Sequence, residues 1–569
     1  MDWFKTAVAN ALAEHLNAKE EDIRPLLETP PRQDLGDLAF PCFTLAKQER
    51  TPPASIAARL ASKLHAATPP AIERVAAHGP YVNFSVNKDL LAKKTLSAIY
   101  EQGRAYGRKT KKKPPTIAIE FPGPNTNKPL HVGHLRNILL GTSTANLLEH
   151  QGNIVKRVNI NNDRGIHICK SMLAYQKWGR GKEPDKKPDH FVGDFYVLYA
   201  QKAKDNPQLE EEAKALLRKW EAGDAQVRAL WKKLRGWALQ GFQETYQKLG
   251  VTFDKEYFES DIYAKGKAII EKGLATGVFV KDENGAVVAK LDDEGLPDKY
   301  VLRADGTSVY MTQDIYLAFQ RYEDFHMDKM VYVVASEQDL HFKQLFAILK
   351  KLNYPKPDGL YHLSYGMVNL PEGKMKSREG TVIDLDDLFE EMQALAKQEI
   401  TKRHDLDKNE ILRRANILAT GAINFFMLKY DRHKDILFDK NAAISFEGET
   451  GPYVQYTHAR IASIFRKSGA QPPSPPEKPA LRTPVEQAVL KKLAMYPCVV
   501  EDAAEAYRPE LLTRYLFELS QDITAFYHEC PVLQAEAAVK TSRLALLHAC
   551  KIVLQAGLAL IGIEAPEEM

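Results

Sequence analysis

The sequence predicts a multidomain α/β protein, with an α+β region first, a helix-covered parallel sheet next and an all-α bundle last. Three observations carry this expectation. The chain has 569 residues, more than one hydrophobic core organises, and chains of this size divide into units of about 100–250 residues. Between about 114 and 380, short apolar runs alternate with helical periodicity, which is the grammar of βαβ units. Beyond about 380 the strand-like runs largely stop and amphipathic helical patterns continue to the end.

The first hundred residues mix helical patterns with β-like runs such as YVNFSV (81–86) and close on GRAYGRKTKKKPP (103–115), whose Gly, Lys and Pro content resists packing and reads as a linker. A new unit is expected near 114. It opens with the buried-strand pattern TIAIEF (116–121), turns through PGPNTNKPLHVGH, runs into a helix and returns as a second strand, IVKRVNI (154–160). In such sheets ligands sit at the carboxyl ends of the strands, where the turn 122–134 and the stretch NNDRG (161–165) fall. The charged, helix-patterned block near 185–250 reads as an insertion. KMVYVVA (329–335) and YHLSYGMVNL (361–370) resume the strands, and the Pro-rich stretch 467–484 reads as a surface connection inside a bundle over 451–569.

Composition narrows the class. Hydrophobic residues make up 44% and charged residues 27%, without low-complexity tract or repeat, which excludes wholesale disorder and a fibrous array. Lys and Arg number 78 against 74 Asp and Glu, a net charge of +4, so any contact with nucleic acid is regional. The five cysteines, Cys42, Cys169, Cys498, Cys530 and Cys550, are far apart and form no CxxC pair, which disfavours a disulfide framework or a zinc knuckle and fits a reducing cytosol. The N-terminus lacks the continuous apolar core of a signal peptide, and no run of 18 uncharged apolar residues follows, so neither export nor a membrane span is expected.

Three groups of residues suit chemistry. His131 and His134 flank Gly133 at a strand-to-helix transition, where free N–H groups, the helix dipole and two imidazoles would together favour phosphate oxygens. A bare HxxH is more often one turn of satisfied histidines, but the preceding strand and turn favour a site here. Lys374, Lys376 and Arg378 crowd the loop 370–385 and could neutralise a pyrophosphate leaving group, although alone they would read as a solvated basic loop. Glu120, Tyr310, Asp314 and Gln338 offer carboxylates, a phenol and an amide; if 310–314 is helical, Tyr310 and Asp314 share a face, and the set would suit a planar cation such as guanidinium. Each of these alone is an ordinary surface or capping group.

Taken together and in order, these segments closely resemble the arginyl-tRNA synthetases, a family of class I aminoacyl-tRNA synthetases, along nearly the whole chain. HVGH (131–134) resembles the HIGH signature, KMKSR (374–378) occupies the place of the KMSKS loop, and PNTNKPLHVGHLRN, VYMTQDI, ASEQDLHF and GPYVQYTHAR are similar to arginine-specific sequences. The resemblance implies a Rossmann-type catalytic domain in which the arginine α-carboxylate attacks the α-phosphate of ATP. Arginyl-adenylate and pyrophosphate form, and the 2′-hydroxyl of the terminal adenosine of tRNA(Arg) then takes the arginyl group.

The resemblance further implies residue roles. His131, His134, Lys128, Lys374 and Lys376 are expected to be catalytic, with Gly133, His131, His134 and Lys374 at ATP. Glu120, Asn125, Tyr310, Asp314 and Gln338 are expected to bind arginine, Asp314 facing the guanidinium. Tyr453, Gln455, Tyr456, Arg460 and Met569 are expected at the tRNA. Ser377 stands where the second KMSKS lysine would be, and Lys128 is similar to the lysine that compensates for it. The implied partners are ATP with Mg2+, L-arginine and tRNA(Arg), without a resident metal or tightly bound cofactor, DNA or membrane, in a cytoplasmic monomer. The expected domains are an N-terminal tRNA-binding unit (1–113), the catalytic unit (114–380) with its helical insertion, a connecting stem-contact segment (381–450) and an anticodon-binding bundle (451–569). Two other readings stand beside this one: a HIGH-type nucleotidylyltransferase acting on a small carboxylate, and a paralogue that kept the scaffold without the chemistry.

Overall fold

In the computed structural model, which describes residues 1–66, 68–369, 384–403, 405–469 and 471–569, the first sheet is built from β1 (Leu38–Pro41), β2 (Ile72–His78) and β3 (Tyr81–Val86). It is antiparallel, in the order β1-β3-β2. The helices Asp2–Leu16 and Pro53–Ala66 cover it, burying Phe4, Val8, Leu12, Ile56, Leu60 and Leu64 with Val82, Phe84 and Val86. This is the α+β unit the sequence predicts.

The central sheet contains β4 (Thr116–Glu120), β5 (Ile154–Asn161) and β6 (Lys255–Phe258). A small antiparallel sheet follows, β7 (Phe279–Lys281), β8 (Val287–Ala289) and β9 (Lys299–Leu302), before the central sheet is completed by β10 (Lys329–Ala335) and β11 (Leu360–Tyr365). Its order is β11-β10-β4-β5-β6 and every pairing is parallel. The chain leaves β4 toward β5 on one side and comes back to β10 on the other. The carboxyl ends of β4 and β10 therefore flank the topological switch point, where open α/β sheets bind ligands.

Strands β6 to β9 lie outside the sequence expectations because each is three or four residues long, too short for an alternation to register. The expected single strand 361–370 is divided at Gly366 into β11 and β12 (Val368–Asn369), the latter paired with β13 (Ile436–Leu437). Between β5 and β6 run the helices Ile166–Trp178, Pro188–Asp205, Gln208–Glu221 and Ala225–Lys248, which enclose a core of their own around Met172, Phe191, Phe195, Trp220 and Trp231.

The helices Leu385–Thr401 and Lys408–Leu428 lead from the sheet to four more, Gly451–Ser468, Pro484–Glu505, Pro509–Glu529 and Ala537–Leu560. The last is long and apolar enough to cross a bilayer, but 61% of its most apolar window is buried within the protein. The run 103–115 corrects one expectation. Tyr106 is buried and stacks on Tyr496 with 5.9 Å between ring centroids, and the Lys109 N–H donates to the His150 carbonyl at 3.0 Å. One aromatic side chain thus anchors a segment whose composition argued against packing. The N-terminal amine donates to Ala494 O at 2.7 Å and the Tyr100 hydroxyl to Ala545 O at 3.2 Å, so the first unit rests on the bundle through one continuous core from Phe4 to Ile563.

Candidate active site

Why the chain begins a helix at 132 is visible in the two histidines. His131 has extended backbone and caps the helix Val132–His150; its Nδ1 accepts the Gly133 N–H at 3.2 Å, while His134 Nδ1 accepts the His131 N–H at 3.1 Å. This is the logic of a capping box with imidazoles in place of a hydroxyl and a carboxylate. The rings lie 3.9 Å apart between centroids. A Cβ on Gly133 would sit 3.0 Å from His131 Cε1 and 3.1 Å from Nδ1, so glycine leaves the room that the first ring occupies.

Because both Nδ1 atoms accept from backbone N–H groups, the proton of each neutral ring resides on Nε2, and both present an Nε2–H donor. Burial, with Lys128 beside it, pushes His131 down to about 3; burial, His131 and Lys128 hold His134 well below its usual value. The pair is neutral at physiological pH. Between the ordinary histidine pKa of about 6.5 and these depressed values the unfolded chain binds protons that the folded rings refuse, so acidification works against the fold here. In the free protein the ring signals of His131 and His134 are expected to stay constant by NMR from pH 8 to 5; a titration midpoint near 6.5 in either would contradict the neutral assignment.

Lys128 lies on the turn before the histidines, and burial lowers its pKa against the opposing pull of Asp384. The main chain of Asp384 pairs with that of His131 as an isolated antiparallel β-bridge, and the Leu385 N–H donates to Leu130 O at 3.0 Å, fixing the start of the helix Leu385–Thr401 against the histidine turn. Lys374, Lys376, Ser377 and Arg378, for which the sequence implies an ATP-facing loop, lie outside the described residues. Among the described residues, Asp189, His190 and Asp386 have spacing suited to a metal ion. Their charge is already met: Lys187 Nζ is 2.6 Å from Asp386 Oδ2 and 3.2 Å from Asp189 Oδ2, and Lys248 Nζ is 2.9 Å from Asp386 Oδ1. The group ties the inserted helices to residues 384–386.

The second set gathers at the same edge of the sheet. Glu120 ends β4, Asn125 follows on the turn and bridges to Asn162, Gln338 closes the short turn after β10, and Tyr310 and Asp314 stand on the first turns of the helix Tyr310–Phe325. Tyr310, Asn125 and Gln338 are exposed. Asp314 Oδ2 lies 2.7 Å from His341 Nε2. Glu120 is buried and forms a short ion pair with Arg321, a fully buried arginine on the same helix as Asp314. Glu120 is therefore the partner of an internal cation here, before any substrate is considered. Arg321 and His341 are absent from the sequence reading; the available signal was an arginine on the apolar face that includes Ile315 and Ala318.

The C-terminal residues separate into two groups. Tyr456, Arg460 and Met569 line a cavity of about 620 Å3 with Arg414, Arg466 and Tyr527. The Arg460 guanidinium stands 3.7 Å over the Tyr527 ring. Gln455 is instead fully buried, its amide donating to Ile417 O at 3.1 Å and Glu564 O at 2.9 Å, and the partly buried Tyr453 meets Thr524 at 3.3 Å. For Gln455 the expectation of direct contact with tRNA is corrected: helical periodicity turns it inward, where it ties three segments together.

Comparison with known proteins places this geometry in a family. Residues 95–440 match the family described as tRNA synthetases class I (R), catalytic domain; residues 2–86 match the arginyl tRNA synthetase N terminal domain and 454–569 the DALR anticodon binding domain. The arginine–tRNA ligase of Treponema denticola is 45% identical over 563 residues, covering 95% of this chain and 94% of the relative, and that of Treponema pallidum subsp. pallidum is 42% identical over 587 residues, covering 100% and 99%. The solved arginyl-tRNA synthetase of Thermus thermophilus superposes with a TM-score of 0.84 at 28% identity, covering 99% of each chain. From its N-terminal sheet through the histidine turn to the helical bundle, this chain belongs to the arginyl-tRNA synthetases of class I.

Proposed function

We propose that the chain is an arginine–tRNA ligase, which activates L-arginine with ATP and passes the arginyl group to the 3′-terminal adenosine of tRNA(Arg). The observation that carries the chemistry is the pair of neutral imidazoles, each with an Nε2–H donor, held by reciprocal caps at the switch point beside Lys128. Donors fixed in advance at a helix N-terminus suit the charge that develops on phosphate oxygens when a carboxylate attacks, and no covalent enzyme intermediate is required. Lys128, Lys374 and Lys376 add cationic charge for the pyrophosphate that leaves. ATP enters with Mg2+ on its own oxygens, in keeping with the lysines that already neutralise the suitably spaced acidic group among the described residues.

Arginine is read by Asp314 for the guanidinium, with Glu120, Asn125, Tyr310 and Gln338 around it, and His341 yields Asp314 Oδ2 when the substrate arrives. Asp314→Ala is expected to weaken arginine binding by about a hundredfold while ATP binding changes little, the scale for removing one partner of a desolvated, hydrogen-bonded charge pair; calorimetry with both ligands checks this, and unchanged arginine affinity would take Asp314 out of the pocket. Tyr456, Arg460 and Met569 contact the anticodon arm, where exposed aromatic and arginine groups suit unpaired bases. The chain works as a monomer, as its family resemblance implies, and in the cytoplasm, a reading supported by five free cysteines, four of them buried.

The direct test is ATP–pyrophosphate exchange with arginine, run with and without tRNA(Arg). Exchange that requires both arginine and tRNA supports the ligase and its coupling. Exchange without tRNA would move the chain toward an enzyme of small carboxylates, and silence in both would favour an inactive paralogue.

A further inference from the structure

Two residues beyond His134 on the same helix, Arg136 is completely buried, yet among the described residues it forms no ion pair with a carboxylate. Its guanidinium donates to four main-chain carbonyls instead: Gly366 by a short bond, Lys434 at 2.9 Å, Arg432 at 3.2 Å and Asp431 at 3.5 Å. Burying an arginine on carbonyl dipoles and the face of the Tyr365 ring, 5.8 Å from its guanidinium, is expensive, so the position is over-determined for something other than simple packing. What it grips is the segment 431–434, which lies against the sheet so closely that a Cβ on Gly366 would meet Lys434 backbone atoms at 2.6 Å.

The same segment carries a second buried arginine pointing the opposite way. Arg432 donates to Ala506 O at 2.9 Å and Tyr507 O at 3.0 Å, and to the Tyr361 hydroxyl at 2.7 Å. Ala506 and Tyr507 form the turn between the bundle helices Pro484–Glu505 and Pro509–Glu529, and Tyr507 holds a left-handed backbone, φ 53°, a conformation that costs a bulky residue energy. From that turn the helix Pro509–Glu529 runs 21 residues, about 30 Å, to Tyr527, the ring beneath Arg460 in the bundle cavity. A continuous rigid path of one helix, one turn and two arginines thus joins that cavity to the helix whose first turn holds both histidines.

We propose that Arg136 and Arg432 form a strut through which the C-terminal bundle positions the histidine turn, making both of them positioning residues for adenylate formation. The proposal rests on the arginine–tRNA ligase reading above. In it, tRNA seated on the bundle steadies the turn at Ala506 and Tyr507, Arg432 holds segment 431–434 to that turn, and Arg136 holds the histidine helix to the segment. Neither arginine touches substrate.

The test uses the full chain with Arg432→Lys, which keeps the charge but cannot hold two carbonyls and a hydroxyl with a planar fork. Equilibrium binding of a tRNA(Arg) transcript and the KM for arginine are expected to stay within about twofold, while tRNA-dependent pyrophosphate exchange falls about tenfold or more, the scale of sub-ångström misplacement of catalytic groups. Tyr361→Phe, which removes one acceptor, lowers the rate several-fold in the same sense and serves if the lysine variant does not fold. A cycle with Tyr527→Ala completes the test: the two losses in rate are less than additive if bundle and turn communicate through Arg432. Unchanged exchange in both variants, losses that add in full, or a fall in tRNA affinity that matches the fall in rate would each overturn the strut. Absence of arginine-dependent exchange in the wild-type chain with tRNA would overturn the ligase reading itself, and is distinguished by being present before any substitution.

Discussion

Replacing His134 by alanine is expected to lower the rate of adenylate formation by about 10²–10³, the scale for deleting one prearranged transition-state donor. The residue does two things at once. Its Nδ1 caps the His131 N–H at 3.1 Å, which leaves its Nε2–H as the donor the proposed reaction uses, so alanine removes both. The lost cap costs about 1 kcal/mol of local stability. His134→Gln separates the two roles, because its amide nitrogen reaches about as far as Nε2 while offering no acceptor in the place of Nδ1; it is expected to recover part of the rate but not the stability. Single-turnover adenylation, with arginine affinity and thermal melting measured alongside, checks all three quantities. A drop in arginine affinity with an intact rate would assign His134 to the wrong substrate.

The second large effect concerns stability. Glu120→Ala is expected to destabilise the central sheet by about 3–5 kcal/mol, since it leaves Arg321 charged and buried beside the rings of Tyr257 and Tyr332, at 5.3 and 5.6 Å, without a carboxylate in ion-pair contact with its guanidinium among the described residues. Hydrogen exchange along β4 and β10 reports the loss where it occurs, and the double variant Glu120→Ala with Arg321→Met is expected to restore most of it. The same pair of variants decides whether Glu120 also reads the substrate. If the stabilised double variant still fails to bind arginine, the carboxylate has both roles; if it binds normally, Glu120 acts only as the counter-ion of Arg321.

Several features were legible in the string of residues for reasons that can be stated. YVNFSV, TIAIEF, IVKRVNI and KMVYVVA are each long enough to show a strand pattern and correspond to β3, β4, β5 and β10. His131 and His134 were legible as a pair because a helix cap is made within four residues. The pattern of 361–370 looks continuous in the sequence because the reason for its break at Gly366, the close approach of segment 434–435, comes from almost seventy residues away. The resemblance points to Gln455 as a contact for nucleic acid because GPYVQYTHAR matches as a block, whereas only the helix packing reveals which of its side chains face inward.

By itself the sequence determined the succession of an α+β region, a βαβ region and a helical region, the longer strands, the βαβ crossing that places residues 122–134 at the edge of the sheet, and the spacing that stacks two imidazoles at a helix start. These depend on periodicity, turn chemistry and capping, all of which act over a few residues. The tertiary structure alone decided which charges are buried and what meets them: Glu120 with Arg321, 201 residues later, Arg136 on the carbonyls of 431–434, and Arg432 on the turn of the bundle. The physical reason is that the cost of burying a polar group is set by the partners around it, and those partners are brought together by the sheet order and helix packing of the whole chain.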